Sequence, residues 1–182
     1  HGLGSDEGTW FDMLNELRAW PEFHRRFEPW VMHYPTGASF LAVASQLRQQ
    51  LTAAVTGLDP QGRDPALRRL VLIGHSMGGL HAKMMVVDSG SSIWFSIAQV
   101  PFEQIRARPA TLELVQRTTF FRAQPFVSRV VFIATPHRGS ILASLGIGRL
   151  ASLVVREPEA ITAVHDEIVE MNPGGFRPEY AR

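Results

Sequence analysis

Residues 70–80 read Leu-Val-Leu-Ile-Gly-His-Ser-Met-Gly-Gly-Leu, a short aliphatic run driven into G-H-S-M-G-G. Ser76 is the residue of this segment suited to chemistry. A serine between a strand and a helix, flanked by Gly74 and Gly78, sits on a turn too sharp for larger neighbours. The turn lifts its hydroxyl clear of the sheet, where it can attack an acyl carbonyl and hold the acyl group as an ester. That attack places negative charge on the carbonyl oxygen, and preorganised N–H donors must receive it. The helix that begins at Met77 turns its positive end toward that oxygen.

A serine also needs a partner to take its proton. The histidines downstream are His81, His137 and His165. His81 lies five residues on along the same helix, where it cannot easily turn back. His165 stands beside Asp166 and Glu167 and reads as a solvated helix residue. His137 follows a strand and is the best placed of the three, although shaping its loop is the more expected role. His75 reads as a packed elbow residue, and Arg138 as a structural ion-pair or carbonyl-binding residue. None of the three downstream histidines is a convincing base.

Several elements must position these groups. Residues 9–17 have helical spacing, with Trp10, Met13, Leu14 and Leu17 on one face and Thr9 as cap. Residues 29–34 read as a strand closed by Pro35-Thr36-Gly37. Ser39 caps a long helix to about Leu58, with Leu41, Ala44, Leu47, Leu51 and Ala54 recurring along it. Residues 70–73 form a strand expected to be covered on both faces, and a helix runs from Met77 to about Asp88. Residues 90–128 read as irregular helices over the core. Their aromatics, Trp94, Phe95, Phe102, Phe120, Phe121 and Phe126, form either the underside of a cap or the lining of an acyl pocket, the former being favoured. A second buried strand spans 129–134, helical stretches follow at 140–155 and 157–171, and Asn172-Pro173-Gly174-Gly175-Phe176 is a breaker leading into a tail. Strands alternating with helices imply an α/β fold with a parallel sheet. Three strands are few for that class, which suggests pieces missing from one or both ends.

Composition narrows the function classes. A chain of 182 residues with 45% hydrophobic content fits one globular domain with a sizeable core. The net charge of +1, with no basic block, gives no electrostatic reason to expect nucleic acid or an anionic membrane as partner. The absence of cysteine excludes disulfides, thiolate catalysis and cysteine metal sites. No metal-binding motif or glycine-rich phosphate loop is present, and no cofactor is implied. No apolar run approaches the roughly 18 residues that cross a bilayer, and no signal peptide is visible. The chain opens on His1-Gly2-Leu3-Gly4 without an initiator Met and reads as a fragment or a processed chain.

Three segments resemble the α/β-hydrolase superfamily, and within it bacterial lipases and esterases. His1-Gly2-Leu3-Gly4-Ser5 is similar to the H-G-x-x-G loop after the third strand of those enzymes. Gly74-His75-Ser76-Met77-Gly78-Gly79 is similar to their nucleophile elbow, and Thr135-Pro136-His137-Arg138-Gly139-Ser140 to the T-P-H-x-G-S segment of many lipases. The order and spacing match along nearly the whole chain, and the elbow is the most specific of the three. The resemblance implies a partial α/β-hydrolase fold over 1–182, with a parallel sheet, flanking helices and 90–128 as a helical cap insertion. It implies Ser76 as nucleophile, with Leu3 and Met77 supplying the oxyanion hole. The histidine of T-P-H is not the triad base in such lipases. The family pattern puts the acid and base on loops after further strands, beyond Arg182. The implied function is hydrolysis of carboxylic esters through an acyl-enzyme, on a small-molecule ester or lipid substrate. A non-catalytic hydrolase-like domain that binds a lipid or a partner protein is the alternative. Compartment and oligomeric state are left open by the sequence.

Overall fold

The computed structural model describes residues 1–138, 159–178 and 180. Within them the fold is mixed α/β, with helices around a small parallel two-stranded sheet. Asp6, rather than Thr9, opens the first helical stretch. Its carboxylate accepts from the Gly8 N–H (2.9 Å) and caps a 3-10 turn over Glu7–Trp10. Helix α1 (Phe11–Arg18) and helix α2 (Pro21–Arg26) follow. Ser39 precedes helix α3 (Phe40–Leu58) and accepts from the Val43 N–H through its backbone carbonyl, with no side-chain cap.

The expected strand over 29–34 is absent. A strand exists only through bonds to a neighbour, and among the described residues none pairs with this segment. It runs instead as irregular chain, ending at buried Tyr34.

The aliphatic run forms strand β1 (Leu70–His75), which pairs in parallel with strand β2 (Val127–Ile133). The register runs from Leu70↔Val127 through a slip to Val71↔Arg129, and on to His75↔Ile133. Between the strands lie helix α4 (Met77–Lys83), helix α5 (Ser92–Ile97), a 3-10 turn at Phe102–Gln104 and helix α6 (Pro109–Thr119). Helix α4 stops at Lys83, short of the expected Asp88.

Side chains alternate across a strand, so the register aligns Val71 and Ile73 with Val131 and Ile133 on one face. Those four are 38–45% exposed, which corrects the expectation of a strand buried on both sides. The opposite face meets α4. A Cβ on Gly74 would lie 2.4 Å from Gly79 Cα, so only glycine lets helix and strand approach this closely.

A separate core lies among α5, the Phe102–Gln104 turn, α6 and helix α7 (Glu159–Met171). Trp94, 1% exposed, is surrounded by Ala98, Ile105, Val115, Ile168 and Phe176, with Phe102 and Phe120 packed against them. Its indole N–H donates to the Val100 carbonyl (2.7 Å), which satisfies the one polar atom it buries. Phe176, expected in a tail, is buried here and pairs with Ala98 in an isolated bridge. Asn172 sews this layer together: Oδ1 accepts from the Arg106 N–H (2.8 Å), and Nδ2 donates to the carbonyls of Arg106 and Ile168 (both 2.7 Å). The stretch expected to be helical over 140–155 lies outside the described residues.

Candidate active site

β1 ends at His75 and α4 begins at Met77, so Ser76 alone makes the turn. It does so at φ 51° and ψ −120°, a conformation that an L-residue avoids at a cost of about 1–3 kcal/mol. Bonds on both sides impose it. The Ser76 N–H donates to the Ile133 carbonyl of β2 (2.8 Å), and its own carbonyl accepts from the Gly79 N–H of α4 (3.1 Å). Thr135, just past β2, adds a wedge: its Oγ1 donates to the Gly74 carbonyl (3.5 Å) and lies where a Gly79 side chain would be.

The His1–Gly4 loop lies across this turn. A methyl group on Gly2 would sit 3.0 Å from Ser76 Cβ and 3.4 Å from Ser76 Oγ. A methyl group on Gly78 would come within 2.6 Å of the His1 carbonyl oxygen. Both glycines therefore allow backbone to meet backbone where a side chain would wedge the loop away. Leu3 is 47% exposed. Neither the Leu3 nor the Met77 N–H has an acceptor among the described residues, and Met77 is the first residue of a helix, where such donors are orphaned by geometry. Two unspent N–H groups thus stand on the two segments that meet at Ser76.

Behind the loop is a buried aromatic stack. The His1 imidazole lies flat on the Tyr34 ring, with centroids 4.1 Å apart and planes 11° apart. Tyr34 donates its hydroxyl to the His1 carbonyl, and burial pushes that hydroxyl's pKa up to about 12, so it keeps its proton. His81 meets Tyr34 edge-on at 5.0 Å and stacks on Phe40 of α3 at 4.7 Å. Both His81 ring nitrogens are buried without a partner, and desolvation lowers its pKa to about 4. His81 is therefore neutral and faces the loop's support rather than Ser76.

None of the other histidines hydrogen-bonds the Ser76 side chain among the described residues. His137 packs edge-on against Phe132 (4.6 Å). His165, read as solvated, is tied to the Tyr180 carbonyl (2.7 Å) and to Asp166 Oδ1 (3.2 Å). His75 keeps a buried Nδ1 without a partner. Arg138 is exposed and makes no ion pair among the described residues. Among the described residues no side chain hydrogen-bonds Ser76 Oγ. Among the described residues no group of three or more His, Cys, Asp or Glu could hold a metal, and no helix among them is long and apolar enough to cross a membrane.

Sequence reasoning did not single out Tyr34, Thr36, Phe40 or Thr135. The available signal was Tyr-Pro-Thr after an apolar segment, since a buried tyrosine hydroxyl must find a partner. No family model, curated protein or solved structure matches this chain.

Proposed function

We propose that the chain carries the nucleophile and oxyanion hole of an esterase- or lipase-like serine hydrolase. The observation that supports it most is the backbone of Ser76: a serine held at φ 51° between a strand and a helix, with the unspent N–H groups of Leu3 and Met77 beside it. Strain of this kind persists only where the surroundings over-determine it, and it concentrates at reactive sites. Ser76 Oγ attacks the ester carbonyl, its proton leaves with the alcohol, and the acyl-enzyme is hydrolysed by water to the acid. The N–H groups of Leu3 and Met77 receive the oxyanion; losing one such donor typically slows reaction about a hundred- to a thousandfold. The reading assigns the base and its acid partner to sequence outside the described residues, and 90–128 to a helical cap.

The absence of an imidazole on Ser76 Oγ among the described residues favours one second reading, a non-catalytic hydrolase-like domain that binds a lipid or protein. Labelling with a fluorophosphonate probe separates the two. The hydrolase reading expects stoichiometric labelling that Ser76→Ala abolishes. Labelling that persists in Ser76→Ala rejects it, as does none in a chain extended to carry the base and its acid partner.

A further inference from the structure

The loop that carries Leu3 is held at both ends by one short segment. Tyr34 donates its hydroxyl to the His1 carbonyl, and the Gly4 N–H donates to Thr36 Oγ1 (3.3 Å). These two bonds flank Gly2 and Leu3. Gly4 itself sits at φ 67°, and a four-residue loop with two glycines has little conformational preference of its own. Its geometry must be imposed from outside.

One support of the bracket is buried. Tyr34 is 5% exposed, stacked on the His1 ring and met edge-on by His81, which Phe40 backs from α3. His81 belongs to α4, and the His1 carbonyl abuts Gly78 of the same helix. The bracket therefore references the Leu3 peptide to the helix that begins next to Ser76.

We propose that Tyr34 and Thr36 are positioning residues for the reaction at Ser76, fixing the His1–Gly4 loop so that the Leu3 N–H is preorganised to meet the developing oxyanion. The proposal rests on the reading of Ser76 as nucleophile. A donor aimed at charge that appears only during reaction contributes to the rate of the covalent step and little to prior binding. Loss of the bracket should therefore lower the rate constant of that step and leave binding alone, whereas a merely structural role would lower stability and leave the rate of folded protein unchanged.

The test uses the full chain and a fluorophosphonate probe. In the measured step the Ser76 Oγ–P bond forms, the P–F bond breaks, fluoride leaves and the serine proton passes to solvent. Saturation kinetics give kinact and KI separately, and a thermal melt confirms folding. Tyr34→Phe keeps the stacked ring and removes only the hydroxyl; it should lower kinact about 10- to 100-fold, with KI within about twofold. Thr36→Val should lower kinact in the same way, and Thr36→Ser, which restores the acceptor, should return it close to wild type. Wild-type kinact in both Tyr34→Phe and Thr36→Val, with labelling still abolished by Ser76→Ala, overturns the bracket and leaves the nucleophile standing. Labelling that survives Ser76→Ala, or none in a chain extended to carry the base and its acid partner, removes both. Should Tyr34→Phe fail to fold, the Thr36 pair decides: equal kinact for Thr36→Val and Thr36→Ser overturns the proposal.

Discussion

His81 should make this protein acid-labile from about pH 6.5 downward, before most carboxylates titrate. Buried between Tyr34 and Phe40 with neither nitrogen bonded, its imidazole has a pKa of about 4 in the folded chain against 6.5 when unfolded. The unfolded chain therefore takes up a proton that the folded chain refuses. The contribution is complete above the unfolded value of 6.5 and is lost as the pH falls toward 4. Linkage between those two values gives a loss of about 1 kcal/mol at about pH 5.5 and about 2–3 kcal/mol at about pH 4.5, with almost none at about pH 7.5. His81→Phe keeps an aromatic ring between Tyr34 and Phe40 and removes the titration. Urea denaturation followed by tryptophan fluorescence, run on both proteins across that range, isolates the effect, because carboxylates common to both cancel in the difference. The variant should gain on the wild type as the pH falls, by roughly the amounts above. A stability difference that stays flat from about pH 7.5 to about pH 4.5 refutes the reasoning.

Three further outcomes follow from the same geometry. Ser76→Gly should be more stable than Ser76→Ala by about 1–2 kcal/mol in urea denaturation, because glycine adopts φ 51° without strain; equal stabilities would mean the turn is unstrained. Glu167 accepts from Arg108 Nε (2.8 Å), Arg108 Nη2 (2.5 Å), the Arg108 backbone N–H (2.7 Å) and Thr111 Oγ1 (2.8 Å). The Arg108 guanidinium and these donors hold its carboxyl at about 2, so its contribution is present above 4.5 and lost as pH falls toward 2. Glu167→Gln should lower the melting temperature at neutral pH, with the deficit vanishing in strong acid; a deficit independent of pH contradicts the pairing. Arg48 is buried over Phe121 (4.0 Å), gives one bond to the Arg117 carbonyl (3.1 Å) and leaves Nη1 unpartnered. Arg48→Met, which keeps the packed stem, should stay within about 1 kcal/mol of wild type, while Arg48→Ala should cost about 1–3 kcal/mol in the same denaturation assay. Equal losses would mean the charge, and not the stem, is what stabilises this site.

Much of the site was legible because its signals are local. A strand of Leu-Val-Leu-Ile running into Gly-His-Ser-Met-Gly-Gly specifies a strand, a turn and a helix within a dozen residues, and Leu70–His75, Ser76 and Met77–Lys83 form in that order. The helical period over 40–58 likewise becomes α3. The failures lie where a neighbour decides. Residues 29–34 read as a strand closed by Pro35-Thr36-Gly37, yet no described strand pairs with them. The aliphatic residues of β1 suggest burial on both faces, yet only one face is covered. Phe176 follows Pro-Gly-Gly, which reads as a tail, yet it completes the core around Trp94. His165 beside two acids looks solvated, yet its ring reaches the Tyr180 carbonyl.

Sequence alone determined that a serine stands at a strand–turn–helix junction at residue 76, because an aliphatic run ending in a serine between glycines is a local signal, while its strained backbone also takes a bond from the distant Ile133 carbonyl of β2. Tertiary structure decided what surrounds it. Whether the His1–Gly4 loop reaches Ser76, what Tyr34 and Thr36 hold, and why His81 stays neutral all depend on residues 30–80 positions apart meeting through packing and single hydrogen bonds. No local periodicity encodes such contacts, since each depends on where two separate elements come to rest.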